Sequence, residues 1–151
     1  MELIAHHQGC AVKTLEGGLS TYSGALMLKR RTRAFEVSSQ NVSVCFLELR
    51  AGFYLELVAP NAGQSMLANY LKAGFYHLCF LTEDIAASQI RLEKRGFCAL
   101  PRFGSEAFAG RSCQFFISPE RHLIELAQMS PQGFEDFFVD NIERGETSLI
   151  S

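Results

Sequence analysis

The chain has no surplus of positive charge: 14 Lys and Arg stand against 16 Asp and Glu, a net charge of -2 with a pI near 6.1. Without a basic field there is nothing to hold a polyphosphate backbone, so nucleic acid is excluded as the expected partner. It has no C-x-x-C pair either. Its cysteines, Cys10, Cys45, Cys79, Cys98 and Cys113, are odd in number and widely spaced, which predicts buried reduced thiols in a cytoplasmic chain rather than a disulfide framework. Long apolar runs are also missing. The first twenty residues carry Glu2, His6, His7, Gln8, Lys13 and Glu16, so no secretory segment is expected. No window reaches the roughly 18 apolar residues of a membrane helix, so no membrane partner is expected. What is present is core material. Hydrophobic residues make up 48% of 151 residues, 13 of them Phe, enough for one self-sufficient domain over residues 1–151.

Periodicity divides the chain into elements. Glu2 to Val12 suits a strand, and Leu15, Leu19 and Tyr22 suit one face of a short helix after Lys13. The basic run Lys29, Arg30, Arg31 and Arg33 reads as a charged, solvated strand edge, with contact to the phosphates of a coenzyme A tail as its functional alternative. Val42 to Leu49 and Phe53 to Val58 predict a hairpin turning at Arg50, Ala51 and Gly52. Residues 61–73, with Met66, Tyr70 and Leu71, predict a helical linker ending at Gly74. The order then begins again. Phe75 to Leu81 predicts a strand, and Ile85, Ile90 and Leu92 a helix opened by Glu83 and Asp84 and closed before Gly96. Further strands are predicted over Phe97 to Arg102, Ser112 to Ile117 and His122 to Gln128. From Pro131 to about 145, Phe134, Phe137, Phe138 and Ile142 share a helical face, a stripe suited to packing or a subunit contact. Gly104 to Gly110, with Phe103 and Phe108, predicts either a mobile flap or an ordinary hairpin loop.

Each half is therefore strand, helix and three strands. The fold expected is α+β: two βαβββ modules, about 1–60 and 74–128, forming an open, barrel-like mixed sheet with a C-terminal helix. The repeat aligns four residues. His7 and His77 lie 70 residues apart, Glu56 and Glu125 lie 69 apart, and Leu55-Glu56-Leu57 parallels Ile124-Glu125-Leu126. A carboxylate inside an apolar strand is costly unless something compensates it. Two modules paired about a pseudo-twofold axis would bring one His and one Glu from each into a shared concavity. That predicts a metal site of His7, Glu56, His77 and Glu125, whose donors suit Ni, Co, Mn, Zn or Fe(II). The cofactor expected is one divalent ion from Co, Ni, Zn, Mn or Mg. His6 and His122 have no counterpart in the repeat and read as surface or core residues.

These residues resemble the vicinal oxygen chelate superfamily (glyoxalase, bleomycin resistance and dioxygenase proteins), and within it the methylmalonyl-coenzyme A epimerases. The resemblance covers roughly residues 3 to 128. It is carried by Ala5-His6-His7-Gln8-Gly9-Cys10-Ala11-Val12, Asn41-Val42-Ser43-Val44-Cys45-Phe46, Leu55-Glu56-Leu57-Val58-Ala59-Pro60, Gly74-Phe75-Tyr76-His77-Leu78 and Leu123-Ile124-Glu125-Leu126. It implies metal ligation by His7, Glu56, His77 and Glu125, although some relatives carry Gln at the Glu56 position. The chain departs from the pattern at Gln8, where an apolar residue is usual, and at Tyr76, where His often precedes the ligand histidine. Bacterial epimerases place a second, non-ligand glutamate where this chain has Val44. Glu48 is the nearest carboxylate.

Four protein ligands leave two adjacent positions of an octahedral ion for two substrate oxygens, which acidifies a neighbouring C–H bond. The expectation is thus an enzyme, an epimerase or isomerase moving a proton next to a carbonyl on a small acid or acyl-coenzyme A such as methylmalonyl-coenzyme A. Glu125 is the candidate base and Glu48 the candidate partner on the other face. A glyoxalase I-type lyase keeps the same ligands, though nothing marks a glutathione site. A metal-free ligand-binding module of the same scaffold is the alternative outside catalysis. An extradiol dioxygenase needs three open metal positions and is disfavoured. A homodimer is expected.

Overall fold

Thr14 and Asp84 open the helices that follow the first strand of each half, and they do so by the same device. In the computed structural model, which describes residues 2–62 and 74–143, Thr14 Oγ1 accepts from the Gly17 N–H and the Asp84 carboxylate from the Ala87 N–H, each at 3.0 Å. Each cap satisfies an amide that a helix start leaves unpaired. The first half runs β1 (Ile4–Ala11), α1 (Leu15–Leu19) continuing as a π-helical turn over Ser20–Gly24, β2 (Phe35–Val37), β3 (Val42–Arg50) and β4 (Phe53–Pro60). The second runs β5 (Phe75–Thr82), α2 (Ile85–Glu93), β6 (Cys98–Ala99), β7 (Phe103–Ser105), β8 (Arg111–Ile117) and β9 (Leu123–Gln128), followed by α3 (Pro131–Asp140). The expected βαβββ repeat is therefore present. Of the predicted linker helix, residues 63–73 lie outside the described residues.

One sheet of order β2-β3-β4-β1-β5-β9-β8-β6, with β7 also on β8, curls into an open half-barrel. At its centre β1 and β5 pair antiparallel, and each is flanked by the parallel last strand of its own half, β4 on β1 and β9 on β5. That arrangement is symmetric about the β1–β5 seam, so the two modules pair within one chain. The helices α1 and α2 cover the outer face, against Cys45, Leu47, Leu55 and Leu57 and against Phe116 and Leu126. On the inner face α3 seats Phe134 and Phe138, both almost wholly buried, among Phe46, Tyr54 and Phe108. The aromatic stripe of the tail is thus core packing. No helix among the described residues is long and apolar enough to cross a membrane.

Several expectations are corrected. The strand predicted over Phe97–Arg102 is reduced to β6, and pairing with β8 resumes only at β7, because Pro101 has no N–H to give a ladder. The C-terminal helix ends at Asp140 rather than near 145. Past it the chain turns extended: the Arg33 N–H donates to Asn141 O at 2.8 Å and the Glu143 N–H to Arg31 O at 2.9 Å. The edge at Arg31 and Arg33 is therefore covered by the tail, where a solvated edge was expected. Phe108 is buried against His6 and Phe46 in a 3-10 turn, Glu106–Phe108, which anchors the loop as a hairpin rather than a flap. Cys98 is exposed, unlike the other four cysteines, and none is in a disulfide.

Candidate metal centre

A strand buries alternate residues, but β1 buries His6 and His7 in succession. The cause is a bulge. The register steps from Ala5 opposite Phe80 to His7 opposite Cys79, leaving His6 as the extra residue. Both imidazoles thus turn to the inner face. On β5, His77 stands opposite Gly9, and Glu56 of β4 and Glu125 of β9 reach in from the flanking strands.

The four predicted ligands meet. His7 Nε2 and His77 Nε2 are 3.0 Å apart. Glu56 Oε1 lies 3.3 and 3.4 Å from these two nitrogens, and Glu125 Oε1 lies 3.2 and 3.1 Å from them. An ion with bonds of about 2.1 Å holds neighbouring donors about 3.0 Å apart when octahedral and about 3.4 Å when tetrahedral. All five separations fall in that span. Moreover Glu125 Oε1, though buried and so close to both rings, is in no hydrogen-bond geometry with either. Two nitrogen and two oxygen donors converging on one point, one of them otherwise unsatisfied, fit a divalent cation.

Electrostatics point the same way. Burial pushes the Glu56 and Glu125 carboxyls up, but the facing His7 and His77 rings outweigh it and hold both below the usual carboxylate range. Burial likewise opposes a proton on His7, and the two carboxylates overcome it, raising the group to about 9. Two ionised carboxylates buried this deeply require a cation among them. In the metal-free protein an imidazolium supplies it.

His6 is the participant that sequence reasoning missed. Its Nδ1 lies 2.8 Å from His7 Nδ1. Burial first, then the neighbouring His7 charge, keeps His6 well below an ordinary histidine pKa and therefore neutral. A neutral His6 accepting at Nδ1 takes the proton of His7 Nδ1 and leaves the His7 Nε2 lone pair facing the ring, the tautomer that ligation needs. His6→Phe keeps an aromatic ring among Phe46, Tyr54, Phe108 and Phe134 but removes this acceptor. A metal titration should show affinity about 10- to 100-fold weaker; wild-type affinity would mean His6 does not orient His7. The only sequence signal was the doubled histidine itself.

Glu48 is not brought to this ring. Its carboxylate sits 3.6 Å from Arg30 Nε, and Arg30 also meets Glu135 at 3.2 Å, a carboxylate that accepts from Tyr54 OH. None of Lys29, Arg30, Arg31 and Arg33 lines the cavity described next. His122 is exposed.

Glu56 and Glu125 open onto a cavity of about 400 Å³. Its walls are mostly apolar, with Val42, Val44, Val58, Phe103 and Phe115 among them, and Tyr76 packs edge-on against His77 at 4.4 Å. Ser39 Oγ donates to Gly104 O at 3.0 Å, tying the two modules together beside it. The apolar lining lowers the polarity around whatever lies against the two carboxylates.

Comparison with known proteins agrees with this architecture. The Glyoxalase/Bleomycin resistance protein/Dioxygenase superfamily profile matches residues 6–115. A hypothetical protein from Bacillus halodurans C-125 superposes with a TM-score of 0.74 at 22% identity, over 86% of this chain and 96% of that one. Methylmalonyl-CoA epimerase from Mycobacterium tuberculosis gives 0.71 at 22% identity, over 85% and 89%. The Streptomyces coelicolor epimerase in complex with 2-nitronate-propionyl-CoA gives 0.71 at 22%, over 83% and 97%. No curated protein matches the sequence closely enough to count as a relative.

Proposed function

Given that the chain belongs to the Glyoxalase/Bleomycin resistance protein/Dioxygenase superfamily, we propose that it is a metal-dependent enzyme moving a proton next to the carbonyl of a small acid or its thioester. The observation that carries this reading is a ring of two imidazoles and two carboxylates at the floor of an apolar chamber. His7, Glu56, His77 and Glu125 would hold the ion, which supplies Lewis acidity to a substrate carbonyl when bound. Glu125 is held ionised by the imidazoles beside it and lines the cavity, so it takes the proton from the acidified carbon. Glu56 is the other carboxylate lining the cavity and lies across the β1–β5 seam; held ionised as Glu125 is, it is a second base, and the carboxyl that has taken the proton is the one that gives it back to the enolate carbon. Val44 makes its own wall apolar, so a two-face epimerisation has to draw on Glu56 and Glu125 rather than on an acid of β3. A glyoxalase I-type lyase would use the same groups.

Two measurements test the proposal together. Elemental analysis of protein purified without chelator should return about one divalent ion per chain, and methylmalonyl-coenzyme A in deuterium oxide should lose its α-proton signal. Stoichiometric metal without exchange removes the acyl-coenzyme A substrate; absent metal with unchanged thermal stability on adding Ni, Co or Zn favours a metal-free binding module.

Metal binding should also release protons. His7, raised to about 9 in the metal-free protein, is protonated at neutral pH and must lose that proton to ligate. Calorimetric binding heats measured at pH 7 should therefore differ between Tris and phosphate by about one buffer ionisation enthalpy. Because the folded pKa lies above the unfolded value near 6.5, the stabilisation from this proton is full below about pH 6.5 and lost as pH rises through about 9. Metal affinity rises over the same window. Equal heats in both buffers would refute the protonated His7.

A further inference from the structure

Among the described residues lining the cavity, Arg102 is the one cation, and two glutamine side chains hold it. Its Nε donates to Gln114 Oε1 at 3.1 Å and its Nη2 to Gln89 Oε1 at 2.8 Å. Gln114 is nearly fully buried on β8, and its Nε2 donates in turn to Gln89 Oε1 at 3.0 Å and to Leu100 O at 2.9 Å. Two amide side chains from β8 and α2 thus orient a guanidinium without neutralising it. Among the described residues no carboxylate pairs with Arg102. Arg30, by contrast, is engaged by Glu48 and Glu135 and does not line the cavity. A guanidinium oriented by neutral acceptors, facing a chamber, keeps its full charge and a free edge for a ligand anion.

We propose that Arg102 is an anion subsite and that the cavity takes a substrate bearing a free carboxylate, with its carbonyl end toward Glu56 and Glu125. This builds on the reading above of the cavity as the substrate chamber, and it narrows that reading to small acids or acid monothioesters rather than neutral ketones or aldehydes. A carboxylate is favoured over a phosphate because the remaining walls are apolar and the volume, about 400 Å³, suits a compact acid. A planar carboxylate also matches the planar guanidinium edge.

The test is calorimetric titration of malonate, dimethyl malonate and inorganic phosphate into wild-type protein, Arg102→Gln and Arg102→Lys. Each titration is run on zinc-loaded protein and on protein stripped of metal and dialysed. Malonate should bind the wild type, dimethyl malonate should not, and Arg102→Gln should weaken malonate about tenfold while Arg102→Lys keeps part of the affinity. Zinc affinity should be unchanged in both variants and thermal stability should fall only slightly, since Arg102 is exposed and the loss is its hydrogen bonds to Gln114 and Gln89. Equal malonate affinity in wild type and Arg102→Gln overturns the subsite, as does absence of malonate binding to the wild type. Phosphate binding as tightly as malonate overturns the carboxylate assignment. Failure of zinc itself to bind the wild type would defeat the metal-dependent reading instead. The Arg102-dependent difference on stripped protein would then still decide the subsite.

Discussion

Glu125→Gln should reduce proton exchange at the substrate α-carbon by about 10²- to 10⁴-fold while the protein stays folded and still takes up metal, though more weakly. The substitution keeps the size and one oxygen of the side chain, so the packing around β9 is preserved. What it removes is a basic oxygen beside the acidified carbon, together with one charged donor to the ion. In the metal-free protein some stability goes as well, because the amide forfeits the buried charge pairing of Glu125 Oε1 with the His7 and His77 rings at 3.2 and 3.1 Å. One consequence separates this from general damage. With one carboxylate gone, His7 loses part of what raises it toward 9, so the proton released on metal binding should diminish as well. Deuterium exchange followed by proton resonance, alongside metal calorimetry, reads both. Wild-type exchange in Glu125→Gln would reassign the base to Glu56, and Glu56→Gln is the matching control.

Gly9→Ala should be more severe for the fold. Gly9 stands opposite His77 in the β1–β5 ladder and opposite Glu56 in the β1–β4 ladder. The His77 ring lies flat over the place a side chain would start: a Cβ there would overlap His77 Cε1 and Nδ1 and approach Nε2 to 2.7 Å. His77 is buried and cannot swing outward. Either the ring leaves the donor set or the central strands move apart, and the cost should be about 2–3 kcal/mol by urea denaturation. Metal affinity should fall more than 100-fold with it, since one of four ligands is displaced. Retention of wild-type metal affinity in Gly9→Ala would show that the ring relaxes without leaving the site.

The two predictions illustrate which features were legible in the residues. The paired apolar-Glu-apolar triplets at Glu56 and Glu125 announced buried charge, and their common spacing with His7 and His77 announced a repeat; both depend only on period and offset, which a sequence carries openly. Gly9 was legible as a small residue but not as the floor beneath an imidazole, because that depends on which strand lies opposite. The bulge at His6 was hidden for a related reason. Alternation predicts that one of two adjacent histidines faces out, and only the register against β5 shows both facing in. The short strand at Phe35–Val37 was hidden because three residues leave too little alternation to detect, and the tail after Asp140 because its partner is the distant edge at Arg31 and Arg33. Glu48 shows the converse limit. Proximity in sequence to the Val44 position recommended it, yet the side chain is engaged with Arg30.

The antiparallel seam between β1 and β5 carries a kinetic implication. Each half of the molecule contributes one imidazole and one carboxylate, so an ion at their meeting point would act as a rivet through the middle of the sheet rather than a guest at its rim. Its escape would then require bonds to both halves to break, while the central β1–β5 pairing holds those halves in register. A centre of modest equilibrium strength built this way can retain its ion far longer than its affinity alone implies, and exchange of one ion for another becomes a matter of breathing of the scaffold.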